Sequence, residues 1–201
     1  MMLIEETAVP LAALPVDELK AHLRLGSGFS DGDVQDVVLE SYLRAAISAI
    51  EARTGKILIE RDFSWTLTRW RDDTGQVLPV APVGAVTLLR LRDPAEEGEE
   101  TIDPGLYRLE VDAQRPVLRP TGSRLPRIPH GGIVEIGFAA GYSQTWGGLP
   151  SDLAHAVTLL AAHYYEHRNE TGARGGAMPF GVNSLIERYC TVRLLGGGGA
   201  Q

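Results

Sequence analysis

The sequence predicts an α+β fold, in which helices from the two ends of the chain form one helical core and an antiparallel β-sheet or sandwich block is inserted between them. Three observations predict it. Residues 33–54 and 151–169 carry apolar side chains at helical spacing, residues 57–142 carry short alternating runs separated by turn clusters, and no helical pattern separates one run from the next. A parallel nucleotide-binding fold would need helices between its strands. The implied organisation is 1–56 for the N-terminal helices, 57–142 for the inserted β domain, and 143–201 for the C-terminal helices and a flexible tail.

The stretch before Pro15 shows no periodicity and is expected to be unstructured. Val16, Leu19, Leu23 and Leu25 then predict a short helix, with Asp17 and Glu18 in the first turn, where the helix dipole favours carboxylates. Gly26 and Gly28 end it. Ser30, Asp31 and Gly32 supply capping groups for the long helix 33–54, which Gly55 stops. This helix is apolar on two sides, Leu39, Leu43, Ala46 and Ile50 on one, Val34, Val38, Ala45 and Ala49 on the other. Its polar stripe (Asp33, Asp36, Glu40, Arg44, Glu51) is narrow. Such a helix needs cover on two sides: either it runs through the middle of one core, or one side meets a neighbouring subunit.

From Ile57 the period changes. Phe63, Trp65 and Leu67 alternate with Ser64, Thr66 and Thr68, the pattern of a half-buried strand. Further strands are expected at 77–80, 86–91, 107–111, 116–118 and 133–138. Turn clusters such as Asp72-Asp73-Thr74-Gly75, Asp93-Pro94, Asp103-Pro104-Gly105 and His130-Gly131-Gly132 separate them. A second long helix starts at Ser151 and Asp152, with Leu153, Val157, Leu160 and Tyr164 along one face. The glycines of 172–176 read as a hinge, and Val182, Leu185, Ile186 and Tyr189 line a last helix. Residues 196–199, all glycine, hold no fixed structure unless a partner orders them.

At 201 residues, with 44% apolar and 22% charged side chains, the composition is that of an ordinary soluble globular protein. No stretch is long and apolar enough to cross a membrane, and Glu5 and Glu6 stand where an export signal carries basic residues, so the cytoplasm is the expected location. Cys190 is the only cysteine, which excludes an internal disulfide and a cysteine metal cluster. A net charge of −7 argues against a protein built to grip nucleic acid. Lysine is nearly absent, and the arginines group locally at Arg69 and Arg71 and at Arg115, Arg119, Arg124 and Arg127. These read as solvated surface and ion pairs, or as a local phosphate contact.

One catalytic pattern is present. His163-Tyr164-Tyr165-Glu166-His167 is the H-x-x-E-H order of inverted zinc peptidases, with two histidines one helical turn apart and a glutamate able to activate water. A small zinc metallopeptidase is therefore the alternative function. It needs a third ligand, and only Glu170 and Glu187 follow as acidic candidates. On the helical wheel both histidines lie on the shoulder of the apolar stripe, a place for amphipathic edge residues or a subunit contact. No G-x-S-x-G elbow, Walker lysine or G-x-G-x-x-G turn occurs, and Cys190 falls in the last amphipathic helix as a small packed residue. Trp146, in a glycine-rich loop, reads as a partner-binding aromatic or a lid over the core. No enzymatic activity, cofactor or metal is expected.

Several phrases, in order, carry a family resemblance. Leu19-Lys20-Ala21-His22-Leu23-Arg24-Leu25 is followed by Ala45-Ala46, then by Ile50-Glu51-Ala52-Arg53-Thr54-Gly55-Lys56. Pro79-Val80 with Pro82-Val83 opens the strand block and Ala140-Gly141-Tyr142 closes it. Leu149-Pro150-Ser151-Asp152-Leu153 starts the second long helix, which ends in Tyr165-Glu166-His167-Arg168-Asn169-Glu170. Met178-Pro179-Phe180-Gly181-Val182 then leads to Leu185-Ile186-Glu187-Arg188-Tyr189. Together these resemble the head-tail connector, or adaptor, proteins of tailed phages and gene transfer agents.

The resemblance implies a non-catalytic ring of twelve copies at the head-tail junction of a virion or virion-like particle, assembled in the bacterial cytoplasm. Its partners would be the portal protein on one side and stopper or tail proteins on the other. DNA would pass through the middle without sequence recognition, and an acidic lumen would let it slide. The expected portal contact is the tail 189–201, with Tyr189, Arg193, Leu194 and Leu195, and the expected subunit contact is Val34, Val38, Ala45 and Ala49. The loops of the strand block are expected to meet the tail side.

Overall fold

The computed structural model describes residues 1–25, 32–94, 98–168 and 178–190, with the backbone alone at 32–34. Two apolar cores form, one among helices and one among strands, and the α+β class holds.

The helical core is built on α2 (Gly32–Thr54), which packs along α3 (Ser151–Glu166), with α1 (Val16–His22) and α4 (Phe180–Ile186) closing the ends. Leu39, Leu43, Ile47 and Ile50 of α2 meet Leu153, Val157 and Leu160 of α3 and Val182 and Ile186 of α4, all essentially inaccessible to water. Full burial of each such side chain stabilises the fold by roughly 1.5–3 kcal/mol before conformational entropy is counted. Thr54 ends α2 by donating its hydroxyl to the Ile50 carbonyl (2.8 Å). Gly55 then takes a positive φ of 70° that a larger residue would resist.

The strand core lies under a five-stranded antiparallel sheet of order β1-β2-β8-β4-β5. Its strands are β1 (Met2–Glu5), β2 (Arg61–Leu67), β4 (Val83–Arg92), β5 (Glu99–Thr101) and β8 (Ile133–Ala140). A smaller antiparallel sheet of order β3-β7-β6 packs with it, from β3 (Gln76–Val77), β6 (Tyr107–Glu110) and β7 (Val117–Pro120). The alternation read from Phe63, Trp65 and Leu67 is the buried face of β2. Trp65 sits opposite Ile136, and the Phe63 ring stacks on Phe138 with centroids 5.7 Å apart.

The expected strands all appear within a few residues, but two were not anticipated. The unstructured start is in fact strand β1, paired in register with β2, Met2 opposite Thr66 through Glu5 opposite Phe63. Its sequence gives no alternation because all four residues are exposed. β5, Glu99 to Thr101, carries no apolar residue, so hydrophobic periodicity could not mark it. Residues 172–176 and 196–199 lie outside the described residues, as do Gly26, Gly28, Ser30 and Asp31.

One buried cluster ties the two cores together. The Arg61 guanidinium donates to Glu5 of β1 (2.8 Å) and to Glu51 of α2 (2.6 Å), while the Leu58 N–H donates to the other Glu51 oxygen (2.8 Å). The Arg61 side chain is only 4% exposed. Burial raises the Glu51 carboxyl above its ordinary range, against the pull of Arg61.

Candidate assembly surfaces

The two apolar sides of α2 have different fates. Leu39, Leu43, Ala46 and Ile50 are wholly buried, whereas Val38 and Ala45 are exposed and Ala49 is half-buried. Val34 lies outside the described side chains. Val37, which lies beside Arg44 at the polar stripe, is 64% exposed. Among the described side chains, the single chain therefore covers one side of α2 completely and the other only in part, which removes the reading of a helix sunk in the middle of one core.

The H-x-x-E-H segment forms the last turn of α3. The rings of His163 and His167 lie with centroids 4.2 Å apart and their planes tilted by 39°, and His167 Nδ1 donates to the His163 carbonyl at 2.9 Å. That bond leaves His167 only its Nε2. His163 Nε2 is buried without a partner among the described residues, Glu166 points to solvent, and Glu187 is exposed in a separate turn. No group of three potential ligands forms among the described residues, and Glu170 lies outside them. The arrangement is a helix end, and Tyr165 beside it packs edge-on against Tyr42 of α2, with Arg168 over its ring.

The root of the C-terminal tail is fixed. Tyr189 is buried, and its hydroxyl donates to Asp152 at 2.8 Å while accepting from Arg188, which itself pairs with Asp152 at 2.7 Å. Burial raises the Tyr189 phenol above its ordinary value. Tyr189 is thus a peg in the helical core, whereas Arg193, Leu194 and Leu195 lie outside the described residues. Cys190, half-buried just beyond a single 3-10 turn, points its thiol at the carbonyls of Ile186 and Arg53.

Lys56 was not singled out from the sequence. It follows the Gly55 stop and precedes Ile57, Leu58 and Ile59, so it is carried into the joint between the cores and is only 1% exposed. Its ammonium makes no hydrogen bond or ion pair among the described residues. Desolvation lowers its pKa, against weaker attraction from Asp112 and Cys190.

The arginine groups separate. Arg119 pairs with Glu110 across β6 and β7 (2.8 Å) and Arg124 pairs with Asp73 (2.7 Å). Arg69, Arg71, Arg124 and Arg127 gather around Trp70, lining a cleft of about 840 Å³. A second cleft, about 720 Å³, shares Arg69, Trp70 and Arg71 and is otherwise lined by residues that include Met1, Trp65 and Leu78. The indole N–H of Trp70 donates to the Pro126 carbonyl (2.7 Å), which fixes the ring that both clefts share. Trp146 is half-buried on the helical core and its indole donates to Glu18 (3.0 Å), the geometry of a lid.

No helix among the described residues is long and apolar enough to cross a membrane. No family model and no curated protein matches the chain. Solved structures do. A chain in the neck of an empty GTA particle, computed with C6 symmetry, is 56% identical with a TM-score of 0.88, over 98% of this chain and 99% of that one. A chain in the virion of a native gene transfer agent particle is also 56% identical with a TM-score of 0.85, and one in a native GTA neck computed with C12 symmetry is 53% identical with a TM-score of 0.83. Both cover 98% of this chain and 99% of the other.

Proposed function

The chain belongs to the head-tail connector (adaptor) proteins of gene transfer agents and tailed phages, and from that premise we propose that it is a structural ring subunit of the particle neck. The observation that carries the reading is identity of 53–56% along nearly the whole of both chains, with neighbours drawn from necks computed with sixfold and twelvefold symmetry. Cyclic symmetry needs one surface of each copy to meet a different surface of the next. The partly covered flank of α2, with Val38, Ala45 and Ala49 and with Val34 in its first turn, is the surface we assign to that contact in a ring of twelve.

In this reading the ring joins the portal to the stopper or tail, DNA passes along its axis, and no step of the function is catalytic. The net charge of −7 supports passage, because a repelling lumen does not hold phosphate. The tail after Tyr189, with Arg193, Leu194 and Leu195, docks the portal, and the cluster of buried Tyr189 with Asp152 and the exposed Arg188 transmits the load of that contact to the helical core.

The test is a chain lacking residues 191–201, produced in cells that make particles. Circular dichroism of the purified variant stays native, and the variant is missing from purified particles, which lose their tails. Normal incorporation would remove the tail from the portal contact. Absence of the intact chain from particle necks, by labelled electron microscopy, would remove the function itself.

A further inference from the structure

The five-stranded sheet has two free edges. At one, β1 presents Met2, Leu3 and Ile4 at 57, 39 and 39% exposure, a dense run of apolar surface on an open edge. The Glu6 N–H donates to the Asp62 carbonyl (2.8 Å), in register with Met2 opposite Thr66 and Ile4 opposite Ser64. Alternate residues of an antiparallel strand bond to the same side, so the backbones of Leu3 and Glu5 point away from β2 with no bond to another element among the described residues. An open apolar edge of this kind is a template for another strand.

The Met1 end of β1 borders the cleft of Trp65, Arg69 and Arg71. Arg69, Arg71 and Arg127 are exposed, and their side chains make no ion pair or hydrogen bond among the described residues. At the opposite edge, β5 pairs only with β4, all three of its residues are exposed, and Glu100 has no ion-pair partner among the described residues. One edge is thus apolar and basic at its Met1 end, and the other is polar and acidic.

Direction decides how they meet. Because every neighbouring pair in the order β1-β2-β8-β4-β5 is antiparallel, β1 and β5 run the same way. A rotation about a ring axis that continues the sheet therefore sets β5 of one copy parallel to β1 of the next. In that arrangement the Glu99–Glu100 end of β5 lies beside the arginine cleft. An antiparallel contact would instead set these glutamates beside Glu5 and Glu6. The registers also agree: Leu3 faces with Trp65, Ile136 and Leu89, and Glu100 faces with Leu91, so Leu3 and Glu100 share one face of the sheet.

We propose that in the assembled ring the sheet continues from copy to copy, β5 of one subunit adding in parallel to β1 of its neighbour, with the Arg69–Arg71 cleft receiving Glu100. This rests on the ring reading above and is separable from it. The experiment uses particles made with chains carrying Leu3→Cys and Glu100→Cys in a Cys190→Ser background, oxidised and run on non-reducing gels. A ladder of covalent oligomers, absent from either single-cysteine chain, is the expected result. Necks that hold the ring but give no ladder overturn the pairing and leave the ring, whereas necks without the chain overturn both. A second arm guards against a misfolded variant: Arg69→Glu with Arg71→Glu lowers incorporation into particles about tenfold, and adding Glu100→Arg restores it. Failure of the added change to restore incorporation overturns the proposal.

Discussion

Lys56 is held where an ammonium is poorly solvated, and its pKa is lowered by burial. A lysine whose folded pKa lies below the unfolded value leaves the unfolded chain with more bound protons between the two, so stability rises with pH across that window. Below the folded pKa the cost is present in full, and above about 10.4 it vanishes. Lys56→Met is therefore expected to stabilise the chain by about 1 kcal/mol near neutral pH, and urea denaturation at pH 7 and pH 10.5 should show the gain shrinking. Gly141 is a second residue whose identity is dictated locally. Its φ is 148°, and a Cβ there would sit 2.4 Å from the Glu60 backbone. Gly141→Ala should cost about 2–3 kcal/mol, read from the thermal midpoint, because the clash is with main chain that cannot turn aside.

At the scale of the element, α2 separates stability from assembly. Leu43→Ala opens a cavity in the helical core and should cost about 2–5 kcal/mol. Val38→Ser with Ala45→Glu touches only the partly covered flank, so it should leave the denaturation midpoint within about 0.5 kcal/mol of wild type while excluding the chain from particles. Equal losses in both measurements would assign the flank to folding instead. The double-sided pattern of this helix was legible because residues such as Leu39 and Val38 stand at helical spacing in the sequence itself. Which side was only partly covered was not, since that depends on α3 packing against Leu43 and Ile47 from more than a hundred residues away. The strands with a buried face, such as β2 and β8, were legible for the same reason. β1 escaped because an edge strand exposed on both faces has no alternation to show, and β5 because it is all polar. The Arg61–Glu51–Glu5 cluster and the four-arginine setting of Trp70 unite residues far apart in the chain, so no local spacing announces them.

For the whole molecule, an excess of carboxylates with only a local arginine cleft predicts weak attraction to duplex DNA. Fluorescence anisotropy at physiological salt should detect no saturable binding below about 100 μM. Submicromolar binding would reassign the arginine cleft to phosphate. The strand order has a consequence of another kind. β8 is hydrogen-bonded to both β2 and β4, yet it is the last of the five strands to leave the ribosome. Neither β2 nor β4 can be sealed until residues 133–140 have been translated, and α3, the cover for α2, comes later still. Until then one side of β2 and one side of β4 stay unpaired, so the nascent chain is open to premature association until some two-thirds of the polypeptide has been made.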